Sequence, residues 1–329
     1  MKEFERLTGI DPFELPFHDD AVMELFNSTK TLGIKKDDYE ETHGCIGISE
    51  FGTPIVRRMV EETGPKCIGD LIRISGLSHG TDVYENNAKE LISDGTITIK
   101  EAICTRDDIM TYLIAMGIPK EDAFNIMENV RRGIVAAGSF KKGGSCNTWD
   151  DAKRLMLNCD VPEWYIGSCE KIQYMFPRAH AVAYVMTSWR EAWFKVHQPL
   201  AFYACYFTTK IGSFDARTIL SGYNAVKERI KLITEQGRDA EKKDQDALPV
   251  LEIALEMFAR GIEVSPPNFE SSDPHRFLID DGKILLPWEA ISGVGASAAE
   301  GIANGYKTKK YVTVEDIMQI GKANTAVID

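Results

Sequence analysis

One stretch in the middle of the chain, KIQYMFPRAHAVAYVMTSWREAWFKVHQP, constrains the fold more than any other. Proline disfavours helical backbone at the residue before it, so Pro177 and Pro199 predict one long helix from about Arg178 to about His197. This apolar stretch contains a single acid, Glu191, in a protein of formal net charge -12. Its cationic or titratable basic residues are Lys171, Arg178, His180, Arg190, Lys195 and His197. A helix that only fills a core does not need them, so these side chains require another explanation.

Helical signals dominate the remainder of the first 261 residues. Asp160 followed by Glu163 has the pattern of a capping box that opens a helix. The segments RDDIMTYLIAMG and EDAFNIMENVRRG each end at a glycine, the usual residue after a helix C-terminus. DQDALPVLEIALEMFAR, from Asp244 to Arg260, predicts a further amphipathic helix that Gly261 closes. The sequence therefore predicts a mainly α-helical protein.

The composition changes near residue 262, where EVSPPNFESSDPH forms a connection rich in proline and serine. RFLIDDGKILL follows, and its Asp281-Gly282 pair between two apolar runs is a strong β-hairpin signal. In the next segment, AISGVGASAAEGIANG, Gly293 and Gly295 flank Val294 ahead of a helix of small residues. This spacing is typical of a helix-hairpin-helix element that holds phosphate on backbone N–H groups, but a tight turn between two packed helices explains it equally. We predict a domain boundary between residues 1–261 and residues 262–329.

Length, charge and cysteine usage narrow the class of protein. A chain of 329 residues with 44% hydrophobic residues is long enough for two domains and a substantial core. No apolar run approaches the ~18 to 20 residues of a membrane span, and the N-terminus lacks a signal-peptide pattern, which predicts a cytoplasmic protein without a membrane partner. The pI of about 5.1 argues against nucleic-acid binding over the whole surface. The stretch from Arg131 to Trp149 nevertheless contains basic residues and no acid, so a local basic groove is compatible with the sequence.

Seven cysteines without a C-x-x-C pair indicate reduced structural thiols rather than a zinc site. Catalytic motifs are also absent: there is no P-loop, no H-E-x-x-H and no G-x-S-x-G. The segment KKGGS, from Lys141 to Ser145, lacks the flanking strand and helix of a phosphate loop and predicts a flexible loop. Adjacent helical residues point about 100° apart, so we interpret Asp107 and Asp108 as acids at a helix N-terminus rather than metal ligands. We predict neither a catalytic residue nor a metal site in this chain.

The segment RISGLSHGTDVYENNAKELI, from Arg73 to Ile92, predicts a polar loop between helical stretches. Its hydroxyl, imidazole and backbone N–H groups are suited to ligand binding. The alternative is a well-capped turn in which Thr81 or Asp82 is the N-cap of the next helix, and composition alone does not separate the two.

Four motifs together carry a resemblance to a known family. They are SGLSHGTDV (residues 75–83), CTRDDIMTYLI (104–114), DVPEWYIGSCEKIQYMFPRAHAVAYV (160–185) and ISGVG (291–295). In this order they resemble the C-terminal part of the PolC-type alpha subunit of bacterial DNA polymerase III, over essentially the whole chain. The related DnaE-type subunits share the F-P-x-x-H-A-x-A-Y pattern, present here from Phe176 to Tyr184, but SGLSHGTDV and CTRDDIM favour the PolC type.

The resemblance implies a helical fingers domain followed by a short β-hairpin and a helix-hairpin-helix module. Fingers of this family close over the incoming nucleoside triphosphate, and the module holds product duplex. The residues it implies for nucleotide binding are Ser78, His79, Arg106, Lys171, Tyr174, Phe176, Arg178 and His180. Guanidinium and ammonium groups are suited to a triphosphate, and an aromatic ring packs near a base or sugar. The residues it implies for DNA contact are Arg190, Lys195, Gly293, Val294 and Gly295, whereas Trp189 and Trp193 stay core residues.

The resemblance also defines what we expect to be missing. Family members bind Mg²⁺ through aspartates of a palm domain upstream of the matched part, so we expect the chain to begin just after the palm and to be inactive alone. We expect it to stop at Asp329 within a helix, without the family's sliding-clamp-binding tail. The segment RRGIVAAGSFKKGGSCNTW departs from the family pattern, so the resemblance assigns no role to Lys141 and Lys142.

Two hypotheses remain at this stage. The first is a fragment of a replicative DNA polymerase whose partners are a DNA primer-template, deoxynucleoside triphosphates, the rest of the alpha subunit and the holoenzyme. The second is a free-standing DNA-binding or accessory protein that reuses these domains. We favour the first, and the genomic sequence upstream of Met1 distinguishes them, because it should encode a palm in one case and a promoter in the other.

Overall fold

The computed structural model describes residues 1–321 and 323, and over these residues the chain is mainly helical, as predicted. The helices of the first half are α1 (Lys2–Thr8), α2 (Asp20–Leu25), α3 (Pro54–Thr63), α4 (Ile68–His79), α5 (Lys89–Ser93), α6 (Arg106–Ala115), α7 (Lys120–Arg131), α8 (Trp149–Asn158) and α9 (Glu163–Lys171). The later helices are α10 (Arg178–His197), α11 (Pro199–Thr209), α12 (Ala216–Leu220), α13 (Tyr223–Gln236), α14 (Lys242–Ala259), α15 (Ala296–Thr308) and α16 (Val314–Gln319).

The chain forms two compact units. The first, Ile48–Trp189, contains α3 to α9 and the first part of α10. The second combines Met1–Gly47 with the described residues from Arg190 onward, and contains α1, α2, the end of α10, the later helices and the strands. This division follows compactness and does not test the boundary near residue 262, which stays a prediction.

The predicted helix boundaries are confirmed in part. α10 begins directly after Pro177 and ends at His197, as predicted. The helix expected after Asp160 is present as α9, but the prediction that Asp160 is its N-cap is wrong. An N-cap residue usually has extended backbone, whereas Asp160 has a φ of 58° and the helix begins at Glu163. Asp160 instead turns the chain in the left-handed region, which aspartate tolerates better than most residues.

A small sheet contains the predicted hairpin. Its strands are β1 (Val264–Ser265), β2 (Leu278–Asp280) and β3 (Lys283–Leu285), in the order β1-β3-β2. Asp281 and Gly282 connect β2 to β3 with φ values of 47° and 72°, as a two-residue type I′ turn requires. β1 pairs with β3 in parallel, with Val264 opposite Ile284, and no local sequence signal indicated this pairing.

All seven cysteines are free thiols, and five of them are buried, as expected of mostly structural thiols, whereas Cys159 is partly exposed and Cys67 is exposed. Burial raises the pKa of the Cys104 thiol to about 12, which keeps it protonated and unreactive at neutral pH. Among the described residues, no helix is long and apolar enough to cross a lipid bilayer. The expectation that the chain ends within a helix concerns residues 324–329, which lie outside the described residues.

A buried ion pair organises the second unit. Lys195 and Glu256 are both fully buried, and Nζ of Lys195 lies 2.7 Å from Oε1 of Glu256. The same ammonium donates to the carbonyl oxygens of Gly44 at 2.8 Å and Ile46 at 2.5 Å, while the Tyr203 hydroxyl donates to Oε1 of Glu256 at 2.7 Å. Complete burial lowers the pKa of Lys195 and outweighs the opposing effect of Glu256. The charge is thus matched on all sides by acceptors of the same unit.

We expect Lys195→Met to destabilise the protein by about 3 to 5 kcal/mol, because it leaves the Glu256 carboxylate buried without a counter-charge. The double variant Lys195→Met/Glu256→Gln removes both charges and should recover a large part of that loss. Denaturant unfolding of the wild type and the two variants measures the effect. A single-variant loss below about 1 kcal/mol would show that water compensates the carboxylate.

Candidate functional site

Five aromatic side chains form a cluster in the unit Ile48–Trp189, and we refer to it as the aromatic cluster: His79, Tyr174, Phe176, His180 and Tyr184. The ring centroid of Phe176 lies 5.4 Å from that of His79, 5.3 Å from that of Tyr174 and 4.9 Å from that of His180. His180 contacts Tyr184 with a centroid distance of 4.4 Å. Tyr174 and Tyr184 are 44% and 47% exposed, so the cluster forms an aromatic surface that solvent reaches.

Helical spacing explains why Phe176, His180 and Tyr184 lie in one row. His180 and Tyr184 are four residues apart in α10, so they lie on the same helix face. Phe176 precedes His180 by four residues and continues this row beyond the helix N-terminus.

The extended segment between α9 and α10 positions Tyr174 and Phe176. Thr81 and Tyr174 pair like strand residues, with N···O distances of 3.0 and 3.3 Å in the two directions. The backbone N–H of Met175 donates to the carbonyl of Arg131 at 3.1 Å, and that of Arg106 donates to the carbonyl of Phe176 at 3.1 Å. Thr81 and the ends of two helices, Arg106 of α6 and Arg131 of α7, therefore hold this short segment.

Two glycines allow the neighbouring backbone to approach this segment closely. A Cβ atom on Gly80 would lie 2.9 Å from the carbonyl oxygen of Tyr174, and one on Gly133 would lie 2.4 Å from that of Gln173. Gly133 also has a φ of 67°, which a residue with a side chain adopts at a cost. Neither position accepts a larger residue without moving the Tyr174 segment.

Ser78 and His79 lie in the last turn of α4, so the predicted loop begins only at Gly80. Helix α4 continues through Gly76 because the backbone of Cys104 packs against it, and a Cβ there would lie 2.7 Å from the Cys104 carbonyl oxygen. Nδ1 of His79 lies 2.7 Å from the carbonyl oxygen of Ser75, which only accepts, so this nitrogen carries a proton. Nε2 lies 3.0 Å from Oε2 of Glu50, so the two side chains are in close contact.

Asp107 and Asp108 act as helix-capping acids, as we interpreted them. Asp108 accepts the backbone N–H of Thr105 at 2.7 Å and completes a capping box at the start of α6. Asp107 accepts the backbone N–H of Arg178 at 2.7 Å, the first residue of α10, and Asp108 also pairs with the Arg178 guanidinium. Both carboxylates are already used by these donors, so the pair does not fit a Mg²⁺ site.

Arg178 and Asp108 line a cavity of about 460 Å³ within the same unit. Two further cations, Arg73 and Lys100, contribute to its walls. The cavity is therefore lined by three cationic side chains and by the acids Glu101 and Asp108. One of the cations, Arg178, is partly exposed and lies two residues from both Phe176 and His180 along the chain.

Two predicted cations differ in their placement. Arg106 is partly buried at the start of α6, and its backbone holds the Phe176 carbonyl. Lys171 instead pairs with Glu90 at 3.2 Å and donates to the carbonyl oxygen of Asn86 at 2.7 Å. The structure thus brings His79, Tyr174, Phe176 and His180 together but directs Lys171 to another partner.

The two cations predicted to contact DNA are buried in the second unit. Arg190 is 8% exposed, donates from Nε to the carbonyl of Pro12 at 2.9 Å, and stacks its guanidinium over the rings of Phe13 and Phe17. Lys195 is fully buried against Glu256. Trp189 is buried as predicted, while Trp193 is partly exposed and packs against Phe194.

The predicted glycine turn lies just before α15. Gly293 has a φ of 89°, a conformation that favours glycine, and Gly295 is the N-cap of α15 with open space around its Cβ position. Val294 between them is 7% exposed and packs in a small core with Ala299 and Ile302. The turn can therefore offer backbone N–H groups to a ligand, whereas the Val294 side chain serves packing. A short 3₁₀ turn, Trp288–Ala290, precedes it in place of a full first helix.

Sequence reasoning missed Tyr184 and Glu50 as members of the site. Tyr184 carried a signal, because it is four residues beyond His180 in the quoted motif. Glu50, with a φ of 68° in an irregular stretch, carried none, since only the folded chain brings it to His79.

Comparisons with known proteins agree with one another. Residues 1–139 match the family described as the bacterial DNA polymerase III alpha subunit finger domain. The PolC-type DNA polymerase III of Lacticaseibacillus paracasei is 44% identical over 330 residues, which cover 100% of this chain. The corresponding protein of Caldanaerobacter subterraneus is 42% identical over 329 residues, and that of Thermotoga maritima is 44% identical over 325 residues. The chain spans only 22 to 23% of the length of these relatives.

One imidazole near the glycine turn bridges two carboxylates and generates a pH-dependent prediction. Nδ1 of His275 lies 2.6 Å from Oε2 of Glu289, and Nε2 lies 3.2 Å from Oε1 of Glu300 in α15. The hydrogen bond with Glu289 and, to a lesser degree, Glu300 raise the pKa of His275 above its ordinary value near 6.5. The imidazolium form therefore stabilises the folded chain.

We expect the melting temperature of the wild type to exceed that of His275→Gln most at about pH 6, and the difference to shrink as pH rises through the raised folded pKa. The direction of this change follows from the raised pKa. The stabilisation is complete below the pKa of His275 in the unfolded chain and is lost above its pKa in the folded chain. Melting curves between pH 5.5 and 9 measure it, with His18→Gln at an exposed histidine as the control. A pH-independent difference would assign His275 a packing role only.

Proposed function

Since residues 1–139 match the finger-domain family and the whole chain aligns with PolC-type enzymes, we propose that this chain is the fingers-containing part of a replicative DNA polymerase. In this proposal it contacts the incoming deoxynucleoside triphosphate and the primer-template, while the reaction itself is completed by the remainder of the alpha subunit. The single observation that carries the nucleotide assignment is the aromatic cluster, which combines an exposed ring surface with rigid backbone support.

The aromatic cluster supports contact with a base and a sugar. Tyr174 and Phe176 offer ring faces that accept any base, which suits an enzyme that must accept all four nucleotides. His180 adds ring nitrogens at the same surface, while His79, whose two ring nitrogens contact Ser75 and Glu50, contributes its ring, and Ser78 adjoins it at the end of α4.

Cations near the cluster support contact with the triphosphate. Arg178 stands at the N-terminus of the twenty-residue α10, where the helix dipole favours anions. Its guanidinium has five donors, so the Asp108 contact leaves others for a phosphate oxygen. Arg106, Arg73 and Lys100 are further candidates, whereas the pairing of Lys171 with Glu90 and the burial of Arg190 and Lys195 lead us to omit these three.

We place the Mg²⁺-binding carboxylates outside this chain, because Asp107 and Asp108 cap two helices. When bound, the metal would supply charge neutralisation at the reacting phosphates. The contribution of this chain is to bind and orient the nucleotide, and such positioning, together with electrostatic stabilisation, accounts for most of the catalysis in phosphoryl transfer.

The glycine turn supports a second contact, with duplex DNA. Gly293 and Gly295 precede α15, a helix of thirteen residues whose first N–H groups have no partner within the helix. We propose that this turn holds a backbone phosphate of the product duplex without reading sequence.

We expect Phe176→Ala to weaken deoxynucleotide binding roughly tenfold or more in the full-length polymerase that contains this segment, because stacking contributes about 1 to 3 kcal/mol per base. Nucleotide titration at saturating primer-template measures it, with melting curves run in parallel. The matched control is Phe124→Ala, since Phe124 is exposed in the same unit but outside the cluster. Equal nucleotide affinity in the Phe176 variant and the wild type would contradict the assignment.

We expect Gly295→Gln to lower affinity for duplex DNA by about fivefold, equally for all sequences, since a side chain there obstructs the backbone donors. The melting temperature should change little because nothing lies within 4 Å of the Cβ position. Gly212→Gln, at another glycine with open space in the same unit, is the control. A lower melting temperature of the Gly295→Gln variant with unchanged affinity for duplex DNA would show that the turn has a structural role only.

A further inference from the structure

The loop from Phe140 to Cys146, which includes the segment Lys141–Ser145 that the sequence predicted to be flexible, is hydrogen-bonded to α7. Three side chains of α7 hold it: Asp122, Asn125 and Asn129. They are spaced by three and four residues, so they form one polar row on a single face of the helix. Asp122 and Asn129 are 3% and 1% exposed, a burial that polar residues adopt when they have partners to satisfy them.

Asn129 fixes the backbone of Lys141 from both sides. Its Nδ2 donates to the Lys141 carbonyl oxygen at 3.0 Å, and its Oδ1 accepts the Lys141 backbone N–H at 2.6 Å. Asn125 donates from Nδ2 to the carbonyl oxygen of Gly143 at 3.2 Å. Asp122 accepts both the backbone N–H and the hydroxyl of Ser145, at 2.6 and 3.0 Å.

A tight turn closes the loop. Gly143 and Cys146 exchange backbone hydrogen bonds of 3.1 and 3.3 Å. A Cβ on Gly143 would lie 2.6 Å from the Asn125 side chain, and one on Gly144, where φ is 57°, would lie 2.3 Å from the Asp122 carboxylate. The two glycines are thus required by the close approach of the polar row.

The loop carries two lysines whose positive charges are not paired with a carboxylate in the described part of the chain. Lys141 and Lys142 are both exposed, and no carboxylate among the described residues pairs with either ammonium group. The nearby Glu128 is already shared by Arg131 and Arg132, and Asp122 is engaged with Ser145. In a protein of net charge -12, this is a local concentration of positive charge on a rigid support.

We propose that the loop Phe140–Cys146 is a phosphate-backbone contact for nucleic acid, with Lys141 and Lys142 as the phosphate ligands. Adjacent ammonium groups on a fixed backbone match a polyanion with regularly spaced charges, and a backbone ordered in advance lowers the entropy cost of binding. Lysine acts as a point charge without base recognition, so the contact positions the strand and does not select sequence. The proposal rests on the proposed function, to which it adds a DNA-contacting surface outside the aromatic cluster and the glycine turn.

The test compares the 329-residue chain with its variant Lys141→Gln/Lys142→Gln for binding to a single-stranded and a duplex oligonucleotide of mixed sequence. We expect affinity to fall roughly tenfold at about 0.1 M salt, and the slope of log affinity against log salt to decrease by about 1.4 for a single strand or about 1.8 for a duplex. The strand type that shows its expected decrease identifies the bound form. Melting curves should be unchanged, because both side chains are exposed.

The matched control is Lys242→Gln/Lys243→Gln, another adjacent lysine pair that stands among Glu241, Asp244 and Asp246. It removes the same charge and should leave affinity close to that of the wild type. Equal losses in both double variants, unchanged affinity in the Lys141/Lys142 variant, or no binding by the wild-type chain would each overturn the proposal. Failure of the Phe176 nucleotide titration with a persistent lysine effect would instead contradict the nucleotide assignment and leave the loop contact in place.

Discussion

The short break between α9 and α10 is the constraint on which the candidate site depends. Pro177 disfavours helical backbone at Phe176, so the two helices cannot join into one and residues 173–176 must find hydrogen-bond partners elsewhere. They find them in Thr81 and in the backbone of Arg106 and Arg131. The aromatic cluster depends on this break, because the backbone hydrogen bonds that residues 173–176 make to their new partners also fix the positions of the Tyr174 and Phe176 side chains.

The cations of α10 have an explanation different from the one their sequence favoured. Arg178 pairs with Asp108, Lys195 with Glu256, and His197 with Asp19 at 2.8 Å. Arg190 lies between a carbonyl group and two phenylalanine rings. Burying such charges without partners would be costly, so the acids supplied by distant parts of the chain are the complement that lets an apolar helix carry them. Among Arg178, Arg190 and Lys195, only Arg178 retains substantial exposure, at 45% of its side chain, so it alone of these three stays in the proposed nucleotide site.

The sequence predicted the features that depend on neighbouring residues, and it failed where contacts between distant residues determine the structure. The ends of α10, the β2-β3 turn at Asp281-Gly282 and the capping role of Asp108 all depend on residues within a few positions of one another. By contrast, the glycine and serines between Ser75 and His79 predicted a loop where α4 continues. The backbone of Cys104 that packs on Gly76 comes from another part of the chain, so no local signal indicated this contact. For the same reason the burial of Lys195 was not predictable, since its carboxylate partner follows 61 residues later.

Helix α7 shows how one element supports two candidate surfaces of the same unit. The carbonyl of Arg131, at its last residue, holds the backbone of Met175 beside the aromatic cluster, and Asn129, two residues earlier, holds Lys141. Because buried hydrogen bonds are costly to break, the position of this last turn determines the backbone on both sides. A displacement of α7 would therefore move the Phe176 segment and the lysine loop together. Under the proposed function, the nucleotide contact and the phosphate-backbone contact share the support of this one helix.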